Sequence, residues 1–173
     1  MIKKNVEEML NKQVNAELYS AYLYLSMEAY FKSKNLMGAA NWMNVQTKEE
    51  LIHAMKIYNF IIDRDGIVKL DKIEAPPSEW ENAEKVFEYA YQHEIKVTES
   101  INNLVALSIK ENDFATHNFL QWFVSEQVEE EASVKNVLER LKLAGNSPDA
   151  LFIIDNELAQ RVFVPPTQQS ENA

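Results

Sequence analysis

The chain contains no cysteine in its 173 residues, so disulfides, zinc knuckles, rubredoxin-type iron sites and thiol catalysis are excluded together. Glycine occurs three times and proline five, which suits long regular helices rather than a turn-rich β-fold. No apolar run approaches the ~20 residues needed to span a bilayer. Acidic residues interrupt the N-terminal Met-Ile-Lys-Lys-Asn-Val-Glu-Glu before a signal-peptide core can form. A cytoplasmic location, with no membrane partner, is the simplest expectation. Positive charge is scarce too. Seventeen basic residues against 27 acidic give a net charge of −10, which argues against nucleic acid and favours cations. Acidity alone only keeps a protein soluble, so the positions of the acids must carry the argument. The length suits one domain with a full core, expected over 1–165, with a flexible polar tail over 166–173.

What is present is helical periodicity. Apolar residues recur at i, i+3, i+4 and i+7 across five segments, predicted at 4–33, 38–65, 79–110, 113–142 and 148–160. Gly38, Gly66, Gly145, Pro76, Pro77 and Pro148 fall between them. Ser147 is placed to cap the last helix, with Pro148 in its first turn and Asp149 beside its dipole. Short links join the first helix to the second and the third to the fourth, so each pair is antiparallel. About 13 residues, Gly66 to Ser78, separate the second from the third. Extended, they reach ~43 Å, and a helix of about 28 residues is ~42 Å long. That link can run the length of a bundle and make the second and third helices parallel. Val68, Leu70 and Ile73 favour a packed strap over a loose linker. The fold class is therefore all-α, a four-helix bundle with one long crossover and a short fifth helix.

Helical wheels place carboxylates where the core belongs. Leu10, Val14, Ala21 and Tyr24 flank Glu17. Ala39, Met43, Ala54, Ile57 and Ile61 surround Glu50, with His53 beside it. Ala83, Phe87, Ala90, Tyr91, Ile101 and Val105 surround Glu94. Leu120, Phe123, Val124, Val134 and Leu138 surround Gln127, with Glu130 one turn on. Each polar group lies near mid-helix, so Glu17, Glu50, His53, Glu94, Gln127 and Glu130 should converge at one level. Buried unpaired carboxylates cost several kcal/mol or take up protons. No lysine or arginine falls on these inner faces at that level, so cations must supply the charge. Oxygen ligands with one imidazole suit iron, manganese or zinc better than copper(I) or an iron–sulfur cluster. Glu49, Glu126 and Glu129 lie to one side of the buried stripe, where a solvated acidic face is the plainer reading. His93 and His117 have no acidic constellation of their own.

These residues resemble the ferritin family, and within it the bacterial non-haem ferritins. The resemblance runs from Asn11-Lys-Gln-Val-Asn-Ala-Glu17 through Lys48-Glu-Glu-Leu-Ile-His53, Tyr91-Gln-His-Glu94 and Glu126-Gln-Val-Glu-Glu130 to the last helix. It implies a ferroxidase that binds Fe(II) and oxidises it with dioxygen or peroxide at a di-iron centre. One iron would be held by Glu17, Glu50 and His53, and the other by Glu50, Glu94 and Glu130, with Glu50 bridging. Gln127 would orient ligands or dioxygen, and Tyr24 would stand beside the centre. Glu49, Glu126, Glu129 and Glu130 would form a third iron site. The resemblance also implies a homo-oligomeric shell of twenty-four subunits, with the last helix at its four-fold axes. Ala150, Leu151, Ile154, Leu158 and Ala159 would supply that helix's apolar stripe.

Departures narrow the subfamily. Bacterioferritins carry a second Glu-x-x-His, where this chain reads Glu94-Ile-Lys-Val97 and Gln127-Val-Glu-Glu130. Leu51 stands where their haem-ligating methionine would be, so no haem is expected. The acids that line animal ferritin channels correspond to His117 and Leu120. Two other classes stay open on the sequence: a substrate-oxidising di-iron enzyme, and a helical bundle without metal.

Overall fold

The computed structural model describes residues 2–165, and the tail expected over 166–173 lies outside them. Five helices are present, with no strand among the described residues: α1 (Lys4–Ser33), α2 (Met37–Asp63), α3 (Ala83–Lys110), α4 (Phe114–Ala144) and α5 (Pro148–Leu158). No helix among those residues is long and apolar enough to cross a membrane.

The stops and starts follow local chemistry. Four links turn on a left-handed residue: Asn35, Asp65, Asn112 and Gly145, with φ of 58, 57, 55 and 53°. Asparagine and aspartate tolerate this conformation because their short side chains can bond locally. The side chains of Asn82, Asp113 and Ser147 accept hydrogen bonds from the amides of Lys85, Thr116 and Ala150, capping α3, α4 and α5. The Asn82 cap starts α3 at Ala83 rather than 79, which lengthens the crossover.

Gly38 does not separate helices, as its position in the sequence suggests, but lies in the first turn of α2. A Cβ there would lie 1.6 Å from the carbonyl oxygen of Asp155 in α5. Glycine thus lets α5 sit directly on α2, where the Asp155 side chain accepts from the Ala39 amide at 2.8 Å. Gly38→Ala should undock α5 and lower stability by about 2–4 kcal/mol, read as a fall in the thermal midpoint. An unchanged midpoint would mean that α5 does not depend on this approach.

Side-chain contacts give the helix directions. Ser20 meets His93 and Gln13 meets Ser100, so α1 and α3 are antiparallel. Gln46 meets Glu130, and Phe60 stacks on Phe119, so α2 and α4 are antiparallel too. Asn44 reaches Glu28, and the Ile2 amide reaches the Arg64 carbonyl, which sets α1 against α2. It follows that α2 and α3 are parallel, joined by the strap over residues 64–82.

The strap is held differently from expectation. Leu70 and Ile73 are exposed, and of the three apolar residues only Val68 packs on the core. Polar side chains of α1 pin its backbone instead. Asn11 Nδ2 donates to Ile67 O and Asn11 Oδ1 accepts from Lys69 N, while Asn15 and Ser26 donate to Lys72 O and Pro77 O. Backbone groups with no sheet partner find side chains, as buried or half-buried amides must.

The stripe on α5 also differs. Ile154 and Leu158 are buried against the chain's own core, with Leu151 packed beside them, so that face is already used within one subunit. Phe152 and Ile153 face outward. Leu120 is fully buried in the core, which removes it from any channel lining.

The apolar core is split in two. One half gathers Leu23, Met27, Phe31, Trp42, Met43, Phe87 and Leu138. The other gathers Leu10, Val14, Ile57, Ile61, Ile101 and Leu120. Between them lies a buried polar layer.

Candidate metal centre

Four helices each contribute to that layer. Glu17, Glu50, His53, Glu94, Gln127 and Glu130 are all at most 4% exposed. The helical repeat puts each on its core-facing stripe at mid-length, and the antiparallel pairing brings those midpoints to one height.

Among the described residues two ligand-like groups form. In the first, ligand atoms of Glu17, Glu50 and His53 lie within 4.8 Å of one another, and in the second those of His53, Glu126 and Glu130 do. His53 Nδ1 lies 3.4 Å from Glu50 Oε2, and His53 Nε2 lies 3.9 Å from Glu126 Oε1, so the imidazole stands between the groups. Glu94 belongs to neither. One of its oxygens accepts from the Tyr24 hydroxyl, and the other from Gln127 Nε2 at 3.2 Å. Glu49 is turned to Arg161 at 2.7 Å, and Glu129 is exposed and outside both groups.

A set of amides surrounds the carboxylates. Gln13 Nε2 donates to Glu17 Oε1 at 2.8 Å, and Gln46 Nε2 donates to Glu130 Oε2 at 2.8 Å. Gln127 does the same for Glu94. Gln13 is itself oriented by Ser100 Oγ at 2.5 Å. Each donor fixes one oxygen and leaves the carboxylate's other lone pairs free to face inward. Glu17 Oε2 is buried without any hydrogen-bond partner. Such an orphaned oxygen costs the fold free energy unless a cation or proton meets it. Gln13 and Gln46 were not singled out by the wheels. For Gln13 the signal is its place four residues before Glu17, whereas Gln46 reaches across to Glu130 on α4, which no spacing marks.

Protonation reflects the crowding. Burial, and then the charges of Glu94, Glu17 and Glu130, push Glu50 well above the usual carboxylate range. Burial raises Glu130 to about 8, with Glu94 adding to it and His53 and Gln46 opposing. Burial likewise raises Glu94 to about 7, against the hydrogen bonds from Tyr24 and Gln127. Tyr24 is also pushed up, by burial and by Glu94, Glu50 and Glu130. At neutral pH the metal-free layer therefore holds protons that a divalent cation would displace.

The remaining histidines stand apart from the layer. His93 Nε2 pairs with Ser20 Oγ at 2.8 Å, and burial, with Lys96 second, lowers it to about 4. His117 contacts Gln121 on the surface.

Fold and site together define a helical bundle whose mid-height polar layer offers oxygen ligands and one imidazole to metal ions. The ferritin profile, described as a ferritin-like domain, matches residues 7–144. The bacterial non-heme ferritin of Bacteroides fragilis is 41% identical over 161 residues, covering 93% of this chain and all of that protein. The bacterial non-heme ferritin of Escherichia coli O6:H1 is 36% identical over 159 residues, covering 92% and 96%. Among solved structures, the open pore ferritin of the hyperthermophilic archaeon Archaeoglobus fulgidus superposes with a TM-score of 0.93 at 52% identity, covering 94% of this chain and all of that one. The chain belongs to the ferritin family.

Proposed function

We propose that this protein stores iron, and that it oxidises Fe(II) with dioxygen at a di-iron carboxylate centre before the ferric product mineralises inside an oligomeric shell. The observation that carries the reading is the buried layer itself. Four glutamates and one histidine share it with no lysine or arginine among them, and Glu17 Oε2 has no partner. Two ferrous ions are the substrate. Glu17, Glu50 and His53 hold one, and Glu50, Glu94 and Glu130 hold the other, with Glu50 shared. Glu94 lies outside the grouped ligand atoms and is held by Tyr24 and Gln127, so the second set forms when Glu94 swings a free lone pair toward the ion. Carboxylates bind hard cations and stabilise the added charge as iron becomes ferric. Each ion gives up one electron, and dioxygen accepts the pair. Tyr24 stands at the centre through its hydrogen bond to Glu94. Glu49, Glu126, Glu129 and Glu130 make a third iron site, which needs Glu49 and Glu129 to turn toward Glu126. Haem is not part of this reading, since Leu51 stands where the resemblance would put a haem-ligating methionine.

The test is anaerobic Fe(II) titration followed by an oxygen pulse, recording absorbance and oxygen uptake. Saturation at two to three ions per chain with rapid uptake supports the reading, and no saturable binding overturns it. The family resemblance implies a shell of about twenty-four subunits, and Phe114, Val128, Leu143, Phe152 and Ile153, exposed on one subunit, are apolar surface that contacts between subunits would cover. Sedimentation showing only monomers or dimers at micromolar concentration would contradict that.

A further inference from the structure

Beyond α5 the chain does something that the iron-binding residues do not require. Arg161 folds back and places Nη2 2.7 Å from Glu49 Oε2, with both side chains about one-fifth exposed. Its guanidinium also lies over the Trp42 ring, 4.4 Å from the centroid, and Nη1 donates to the Trp42 carbonyl. The backbone that carries it is clamped. Asn41 Nδ2 donates to the carbonyls of Leu158, Ala159 and Arg161, the last at 2.9 Å. A planar cation held by an ion pair, an aromatic face and a fixed backbone is a preorganised contact rather than a passing surface pair.

Its partner, Glu49, is one of the acidic residues of the proposed third site. Glu49 is close enough to Glu126, Glu130 and His53 to perturb their ionisation or feel theirs. Yet it contributes no ligand atom to the His53–Glu126–Glu130 group, because its carboxylate is spent on Arg161.

We infer that Arg161 is a latch on the third iron site: its guanidinium holds Glu49 away from Glu126 and Glu130, and the ion bound there must displace it. Glu49 cannot serve both partners fully, and the guanidinium repels any divalent cation that approaches its carboxylate. The latch therefore weakens the third ion far more than the first two, among whose ligands only His53 and Glu130 feel the charge of Glu49. It makes the third site a position of transit, filled after the pair and readily emptied. The inference rests on the third-site reading above.

The experiment is calorimetric titration of the assembled, full-length protein with Zn(II), which is redox-inert. Native protein is compared with Arg161→Ala, Arg161→Lys, Glu49→Gln and the double variant Arg161→Ala/Glu49→Gln, with assembly checked by sedimentation. Arg161→Ala should bind the third ion about tenfold more tightly, with the first two shifted by much less. Arg161→Lys, which keeps the charge but loses the planar fork, should fall between native and Arg161→Ala. The gain should vanish in the Glu49→Gln background. Equal third-ion affinity in native and Arg161→Ala overturns the latch and leaves the third site standing. Weaker binding in Arg161→Ala overturns it as well, since Arg161 would then orient Glu49 for the ion. A gain that persists without Glu49 shows a general charge effect, and also defeats the latch. No third ion in any variant removes the third site and the latch together.

Discussion

Glu50→Ala should abolish fast paired oxidation of ferrous iron. Glu50 belongs to both proposed ligand sets, so its loss takes an oxygen from each ion at once and removes the group that ties the two together. The rapid phase should slow by at least roughly 100-fold, since even residues one step removed from a metal typically alter function by 10–100-fold. The iron-free fold should survive with equal or greater stability. Removing Glu50 takes away a buried polar group whose desolvation the fold otherwise bears, which offsets the small cavity left behind. Glu49 and Glu129 supply the contrast, because neither contributes to the buried groups. Replacing both with alanine should slow the first phase by less than about threefold, and should change the iron oxidised per oxygen consumed. Stopped-flow oxidation at two and at three ferrous ions per chain, with oxygen uptake, separates these outcomes. If Glu50→Ala keeps the rapid phase, the bridging role is wrong.

The second large effect is on stability against pH. Glu94 and Glu130 titrate at about 7 and about 8 in the folded chain, and near 4.5 when unperturbed. Between those values the native protein holds protons that the unfolded chain has lost, so raising the pH favours unfolding. The iron-free protein should therefore be most stable near pH 5, lose stability through pH 7 to 8, and level off above that. The loss is on the order of 5 kcal/mol, which for this length is about a 10 °C fall in the thermal midpoint. Divalent cations should flatten the slope, since they replace the same protons. At pH 7 binding should release about two protons per chain, measurable by calorimetry in buffers of different ionisation enthalpy. A midpoint that rises steadily from pH 5.5 to 8.5 without metal would refute this account of the layer.

Much of this architecture could be read from periodicity because each helix is long and its polar intruder sits on an otherwise apolar stripe. Glu17, Glu50 and Glu94 were visible as violations of the pattern, and the crossover followed from a length comparison. Ser147 and Pro148 marked the start of α5 correctly, since a cap acts within a few residues. What escaped was non-local or ambiguous in kind. Asn35 and Asp65 end helices in the left-handed conformation that glycine usually supplies, so the glycines alone do not mark the residue on which each link turns. Periodicity finds the buried face of α5 but not its partner, so Ile154 and Leu158 were assigned outward when they pack on the chain's own core. Gln13 and Gln46 look like ordinary polar helix residues until their donors are seen on Glu17 and Glu130. Arg161 lies over a hundred positions from Glu49, beyond the reach of any spacing rule.

The pairing of α1 with α2 and α3 with α4 has a consequence for how the chain folds. Each hairpin closes over a short link, so it can form early and alone. The first carries Glu17, Glu50 and His53, and the second carries Glu94, Gln127 and Glu130. Neither hairpin by itself crowds four carboxylates together. The repulsion arises only when the hairpins dock, with the strap already drawn along α1, so the electrostatic cost falls on the last step of folding. Protons or divalent cations present at that moment would offset this repulsion, so refolding without metal should be faster at pH 5 than at pH 8.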